Sequence, residues 1–166
     1  CDRAPMIRLS RLADYGVALM TQIALAGAGV QSAQELAAAT GVPLPTVSKL
    51  LAALARAGLL VASRGARGGY RLARPADQIS VGAIVSAVDG PIALTQCIEH
   101  GPGTCEVEVL CPTQHGWKAI NEGVRRAFNA VSLAELVWPH AQGWAQPGAV
   151  PAGDEAARNA LERSTR

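Results

Sequence analysis

Aromatic side chains are scarce in this chain: one Phe, two Tyr and three Trp among 166 residues. Sheet-rich folds draw on aromatic and β-branched residues. A sequence that is 49% apolar and rich in Ala favours helices instead. No uninterrupted apolar run approaches the roughly 20 residues of a membrane span, so no membrane partner is expected. The start, "CDRAPMIRLSRLADYG", lacks the apolar block and cleavage site of a secretory signal. A cytoplasmic protein is therefore expected, in a compartment where lasting disulfides are uncommon. Met6 reads as the natural start, and residues 1–5 are set aside from the fold argument.

A strong net charge is also missing, since the formal balance is only +2. It conceals an asymmetry. Residues 1–74 carry nine Lys or Arg against Asp2, Asp14 and Glu35, whereas residues 75–166 carry six against ten acids. A basic half beside an acidic half points to an anionic partner for the first; surface charge that serves solubility alone is the rival reading.

What is present is a series of helix signals. "SRLADYGVALMTQIALAGA" (residues 10–28) steps through Leu12, Tyr15, Leu19, Ile23 and Ala26 at helical spacing. Ser32 and Glu35 stand at capping-box spacing and open a short helix that runs to about Ala39. Gly41 ends it, and Pro45 suits the first turn of the next helix, "PTVSKLLAALARAG". That helix buries Val47, Leu50, Leu51 and Leu54. Two helices joined by a tight turn make a helix-turn-helix signal. "LLVASRGARGGYRLAR" follows, with strands expected over Leu60–Ser63 and Tyr70–Ala73 around a glycine-rich turn. The expected fold is mainly α: a winged helix-turn-helix with a small β-hairpin wing, then a long dimerisation helix.

Ser80 caps a further short helix in "ISVGAIVSAVDG". "WKAINEGVRRAFNAV" aligns Trp117, Ile120, Val124, Phe128 and Val131 on one stripe, which either folds back on its own domain or meets a second copy. "SLAELV" forms a last short helix, and a disordered tail is expected from Pro139 onward, where Gly, Pro, Ala and Gln dominate. The expected divisions are a winged-helix domain over 6–90, a loop over 91–111, a dimerisation helix and short final helix over 112–138, and a tail over 139–166.

The start of the third helix offers Pro45, Thr46, Ser48 and Lys49 to a DNA groove, where hydroxyls and a Lys reach base edges and phosphates. Arg64 and Arg67 at the wing tip suit phosphate or the minor groove. The bland alternatives are helix-start hydrogen bonding for Thr46 and Ser48 and a solvated turn for the arginines.

Three of the chain's four cysteines fall within "CIEHGPGTCEVEVLC", as Cys97, Cys105 and Cys111. Neither gap is the short knuckle typical of structural zinc. His100 and His115 lie near, but nothing else resembles a nucleophile site. Longer, unequal gaps on a Gly/Pro loop suit an iron–sulfur cluster. Zinc or another metal, and simple redox thiols, remain open on spacing alone.

Together "RLSRLADYG", "LPTVSKLLAALARAGL", "SRGARGGYRLARP", "ISVGAIVSAVDGP", the three cysteines and "SLAELV" resemble the IscR/NsrR-type winged-helix iron–sulfur regulators, from Met6 to Val137. The resemblance is closest to the branch that regulates SUF-type cluster assembly. It implies a homodimer on a palindromic DNA operator, not an enzyme, with a 2Fe–2S cluster (4Fe–4S as the alternative) whose state alters DNA affinity. Cys97, Cys105 and Cys111 would supply three ligands. In the IscR branch a His follows the last cysteine by three residues, and here Gln114 occupies that place, with His115 one residue on. In the nitric-oxide-sensing branch an Asp on the first helix of the other subunit completes the site, and Asp14 matches it. Asp14 is thus the first choice for the fourth ligand and His115 the second. A cluster-free thiol- or zinc-based regulator of the same fold is the competing expectation.

Overall fold

The computed structural model of the chain describes residues 9–65, 68–95, 98 and 111–141. Helix α1 (Arg11–Leu25) starts at Ser10, whose Oγ accepts from Ala13 N–H at 2.9 Å and donates to Asp89 Oδ1 at 2.8 Å. Its buried face is Ala13, Gly16, Leu19, Met20 and Ile23. Leu12, expected on that face, is 38% exposed. The cause is the crossing with α4 (Val81–Asp89). A Cβ at position 16 would lie 2.9 Å from Val88 Cγ2, so the two helices meet at small residues and the larger Leu12 turns outward.

Helix α2 (Ala33–Thr40) begins at the expected capping box, with Glu35 N–H donating to Ser32 Oγ and Ser32 N–H donating to Glu35 Oε2. Helix α3 (Leu44–Arg56) follows a three-residue turn and departs at 117° to α2. It buries Val47, Leu50, Leu51 and Leu54. These side chains join Leu19, Met20, Ile23, Leu36, Leu59 and Ile84 in one core. Among the described residues no single helix is long and apolar enough to cross a membrane.

Strands β1 (Leu60–Ser63) and β2 (Gly69–Leu72) pair antiparallel, Leu60 opposite Leu72 and Ser63 opposite Gly69. Gln31 adds a bridge on the free edge of β2: its N–H donates to Tyr70 C=O at 3.0 Å, and Tyr70 N–H donates back at 2.8 Å. The approach is so close that a Cβ at position 69 would strike the Gln31 carbonyl, which only glycine avoids. The wing is thereby tied to the segment that leads into α2.

After a 3-10 turn (Ala76–Gln78) and α4, helix α5 (Gln114–Ala130) runs for 17 residues and α6 (Leu133–Ala141) closes the described chain. The helix expected over "SLAELV" thus continues to Ala141, across Pro139. The tail expected beyond it, residues 142–166, lies outside the described residues. The α5–α6 junction is bolted to the winged-helix module. Val81 N–H donates to Val131 C=O at 2.9 Å, Leu133 N–H donates to Ile79 C=O at 2.7 Å, and Leu133 is fully buried in the module's core. Gly82 leaves room for the Asn129 side chain, whose Oδ1 accepts from Ser80 Oγ at 3.1 Å.

Candidate functional site

Helix α3 presents two faces for a local reason. With Val47, Leu50, Leu51 and Leu54 turned inward, the helical period turns Pro45, Ser48, Lys49 and Arg56 outward. Pro45, Ser48 and Lys49 are exposed as expected, and Thr46 is half-buried. Arg56 was not among the expected contacts. It lies seven residues after Lys49, about 10 Å along the same face. The signal that would have found it is the i+7 spacing from Lys49.

The amino end of α3 carries no acidic residue and no side-chain cap; Pro43 stands at the cap position. Its partial positive charge is therefore left open to an anion. From Gln31 to Arg74 the only acid is Glu35, and its carboxylate is occupied by Ser32. Those hydrogen bonds, from the Ser32 backbone first and its hydroxyl second, hold the Glu35 carboxyl below the usual carboxylate range. Lys49, Arg56, Arg64, Arg71 and Arg74 are all exposed. The ion pair among the described residues is elsewhere, between Glu122 and Arg125 at 3.8 Å. The α3 face and the wing thus form a cationic surface that its own acids do not neutralise. Arg64 follows β1 at the wing turn; Arg67 lies outside the described residues.

The thiol loop is described only at its end. Cys97 and Cys105 lie outside the described residues. Cys111 is half-buried, with Sγ 3.4 Å from Thr113 Oγ1, immediately before α5. The partial positive charge of a helix start favours negative charge at that place. His115 is exposed on the first turn of α5, beside Gln114. Asp14 is exposed on the first turn of α1, its N–H donating to Ser10 C=O. Among the described residues no three His, Cys, Asp or Glu side chains converge. The donor types, three soft thiols with an exposed carboxylate or imidazole for a fourth place, fit an iron–sulfur cluster.

Helix α5 shows what periodicity missed. Its stripe residues Trp117 and Ile120 are 40% and 52% exposed, and the one side chain it buries is polar, Asn121 at 4%. A polar residue four positions after Trp117, on an otherwise apolar stripe, was the available signal.

The Rrf2 family, described as iron-dependent transcriptional regulators, matches residues 9–139. The chain belongs to the Rrf2 family. The HTH-type transcriptional regulator IscR of Aliivibrio salmonicida is 32% identical over 132 residues, which span 79% of this chain and 77% of that one. Among solved structures, T. potens IscR superposes with a TM-score of 0.63 at 27% identity, covering 86% of this chain and 94% of its own. CymR (YrzC), the global cysteine regulator of B. subtilis, gives 0.62 at 26%, covering 80% and 97%. These relatives are transcription regulators rather than enzymes. This Rrf2 protein is accordingly a DNA-binding transcription regulator of winged-helix fold, and the resemblance to IscR-type regulators holds.

Proposed function

We propose that this Rrf2 protein is a cytoplasmic homodimer that reads iron–sulfur status, and with it oxidant or nitric oxide stress, and adjusts transcription of SUF-type cluster-assembly genes. The observation that carries the reading is the placement of three thiols within fifteen residues directly before α5, in a family of iron-dependent regulators. Cys97, Cys105 and Cys111 hold the cluster. Asp14 of the partner subunit completes it, with His115 as the alternative. A 2Fe–2S cluster supplies a redox-active group whose presence reports iron and sulfide supply. An oxygen donor in the fourth place makes the site easier to lose than four thiolates, which suits a sensor.

The apolar stripe of α5 receives its counterpart from a second copy, since Trp117 and Ile120 are left largely uncovered within one chain. A two-fold dimer meets two half-sites of a palindromic operator about one helical turn apart. Pro45, Thr46, Ser48 and Lys49 enter the major groove, while Arg64 and Arg67 hold the flanking backbone or minor groove. The loop joins α4 to α5, so ordering it sets the angle between the two reading modules.

The likeness to CymR, a cysteine regulator whose Staphylococcus aureus form has also been solved oxidised, favours a second reading in which the thiols themselves are the signal. Protein purified without oxygen separates the two. Brown protein with visible absorption, losing colour and changing operator affinity on Cys97→Ala, Cys105→Ala or Cys111→Ala, supports the cluster. Colourless protein with stoichiometric zinc, or with DNA binding that responds to peroxide alone, supports the second reading.

A further inference from the structure

Asn121 is the one buried residue of α5, and both ends of its carboxamide are used. Nδ2 donates to Ile92 C=O at 3.1 Å, and Oδ1 accepts from Leu94 N–H at 3.1 Å. Ile92 and Leu94 are alternate residues of the stem that leaves α4 and runs toward Cys97. The carboxamide therefore pairs with the stem backbone as the N–H and C=O of one residue on a neighbouring strand do. Only a side chain with a donor and an acceptor on one planar group makes this pairing. A leucine of similar size leaves both stem groups unpartnered, and an ionised aspartate sets an oxygen against the Ile92 carbonyl.

The position of the pairing gives it a role. Cys111 lies three residues before the first residue of α5, and Cys97 lies three residues after Leu94. Asn121 is seven residues into α5, about 10 Å along its axis. The two ends of the thiol loop are thus both measured from the same helix, one through chain continuity and the other through a single side chain. Fixing residues 92–94 to α5 meets part of the entropy cost of bringing the loop ends together before anything binds. We propose that Asn121 is a positioning residue: its carboxamide clamps residues 92–94 to the middle of α5, and so fixes the chain three residues before the first loop thiol to the helix that follows the last one. This rests on the cluster reading above, and it adds a residue that touches no ligand.

The opposite end of α5 is held to the winged-helix module through Val131, Ser132 and Asn129. A loop ordered by a ligand therefore acts on a helix gripped at both places, whereas an unclamped loop is joined to α5 only by its own chain.

The test uses the full chain in two arms, with Asn121→Asp and Asn121→Leu. In the first arm, hydrogen exchange at the Leu94 amide is measured in protein freed of iron, with the Leu51 amide as the control for global unfolding. Exchange at Leu94 is expected to rise roughly tenfold in both variants while Leu51 is unchanged. In the second arm, protein reconstituted with ferrous iron and sulfide under anaerobic conditions is followed by visible absorption after exposure to air. The variants are expected to lose their colour several times faster than the wild type. Unchanged exchange at Leu94 overturns the clamp, and faster exchange with an unchanged rate of colour loss overturns its role in positioning the thiols. If the wild type takes up no colour, the cluster reading fails and the exchange arm alone decides the clamp.

Discussion

Helices α3 and α5 answer to different partners. The 13 residues of α3 bury four apolar side chains in a core built from α1, α2, α4 and the wing. The 17 residues of α5 bury one, and it is an amide. Both helices are amphipathic, so the difference lies in what surrounds them. The winged-helix module closes its core within one chain. Helix α5 is anchored by backbone bridges at one end and by Asn121 in its middle, and it leaves Trp117 and Ile120 facing outward. A helix that is well formed yet poorly covered is what the proposed dimer would complete.

The contrast can be broken most directly at its stable side. Leu54→Ala removes a fully buried side chain from the shared core and is expected to cost about 2–5 kcal/mol in denaturant unfolding. A loss below about 1 kcal/mol would mean that the module is not close-packed around α3. The opposite behaviour is expected of α5. If the proposed dimer forms through this stripe, Ile120→Asp should convert it to monomer in sedimentation while the fold of the single chain changes by no more than about 0.5 kcal/mol. Dimers that persist with the aspartate in place would show that the stripe is not the interface.

The smallest effect concerns a device the two regions share. Ser132 and Glu135 repeat at α6 the capping box of Ser32 and Glu35 at α2. In both, hydrogen bonds from the serine backbone and then its hydroxyl lower the carboxyl pKa below its ordinary 4.5. A carboxyl with a depressed folded pKa stabilises the protein above its unfolded value, and the contribution is lost as pH falls through the folded one. Glu35→Gln and Glu135→Gln should each lower the melting temperature slightly at neutral pH, and the gap to the wild type should close as pH falls through the lowered folded value. A gap that stays constant across that range would show that neither cap depends on ionisation.

Much of the fold was legible because it is written in short spacings. The Ser32–Glu35 box, the α3 stripe and the β1 boundaries match what the residues imply, since each depends on neighbours three or four positions away or on alternation within a strand. The phase of α1 was less legible. Leu12 fits a helical stripe as well as Ala13 or Gly16 does, and only the tight crossing with α4 favours the small residues. The cationic surface is visible in the sequence for Lys49 and Arg64, whereas Arg56 shows only through its spacing of seven residues from Lys49. Of the proposed cluster ligands, Asp14 and His115 stand on helices, Cys111 lies three residues before α5, and Cys97 and Cys105 lie outside the described residues.

The sequence by itself determined where several helices begin, which side of α3 is apolar, and that three thiols fall within fifteen residues. Those features follow from bonds and periodicities that close within a turn or two of chain. Only the tertiary structure decided that Gln31 pairs with Tyr70, that Leu133 completes a core begun at Leu19, and that Asn121 holds a stem 27 and 29 residues away. Contacts over such separations depend on how whole elements pack. A polar residue on an apolar stripe shows its purpose only once the backbone it satisfies has been brought beside it.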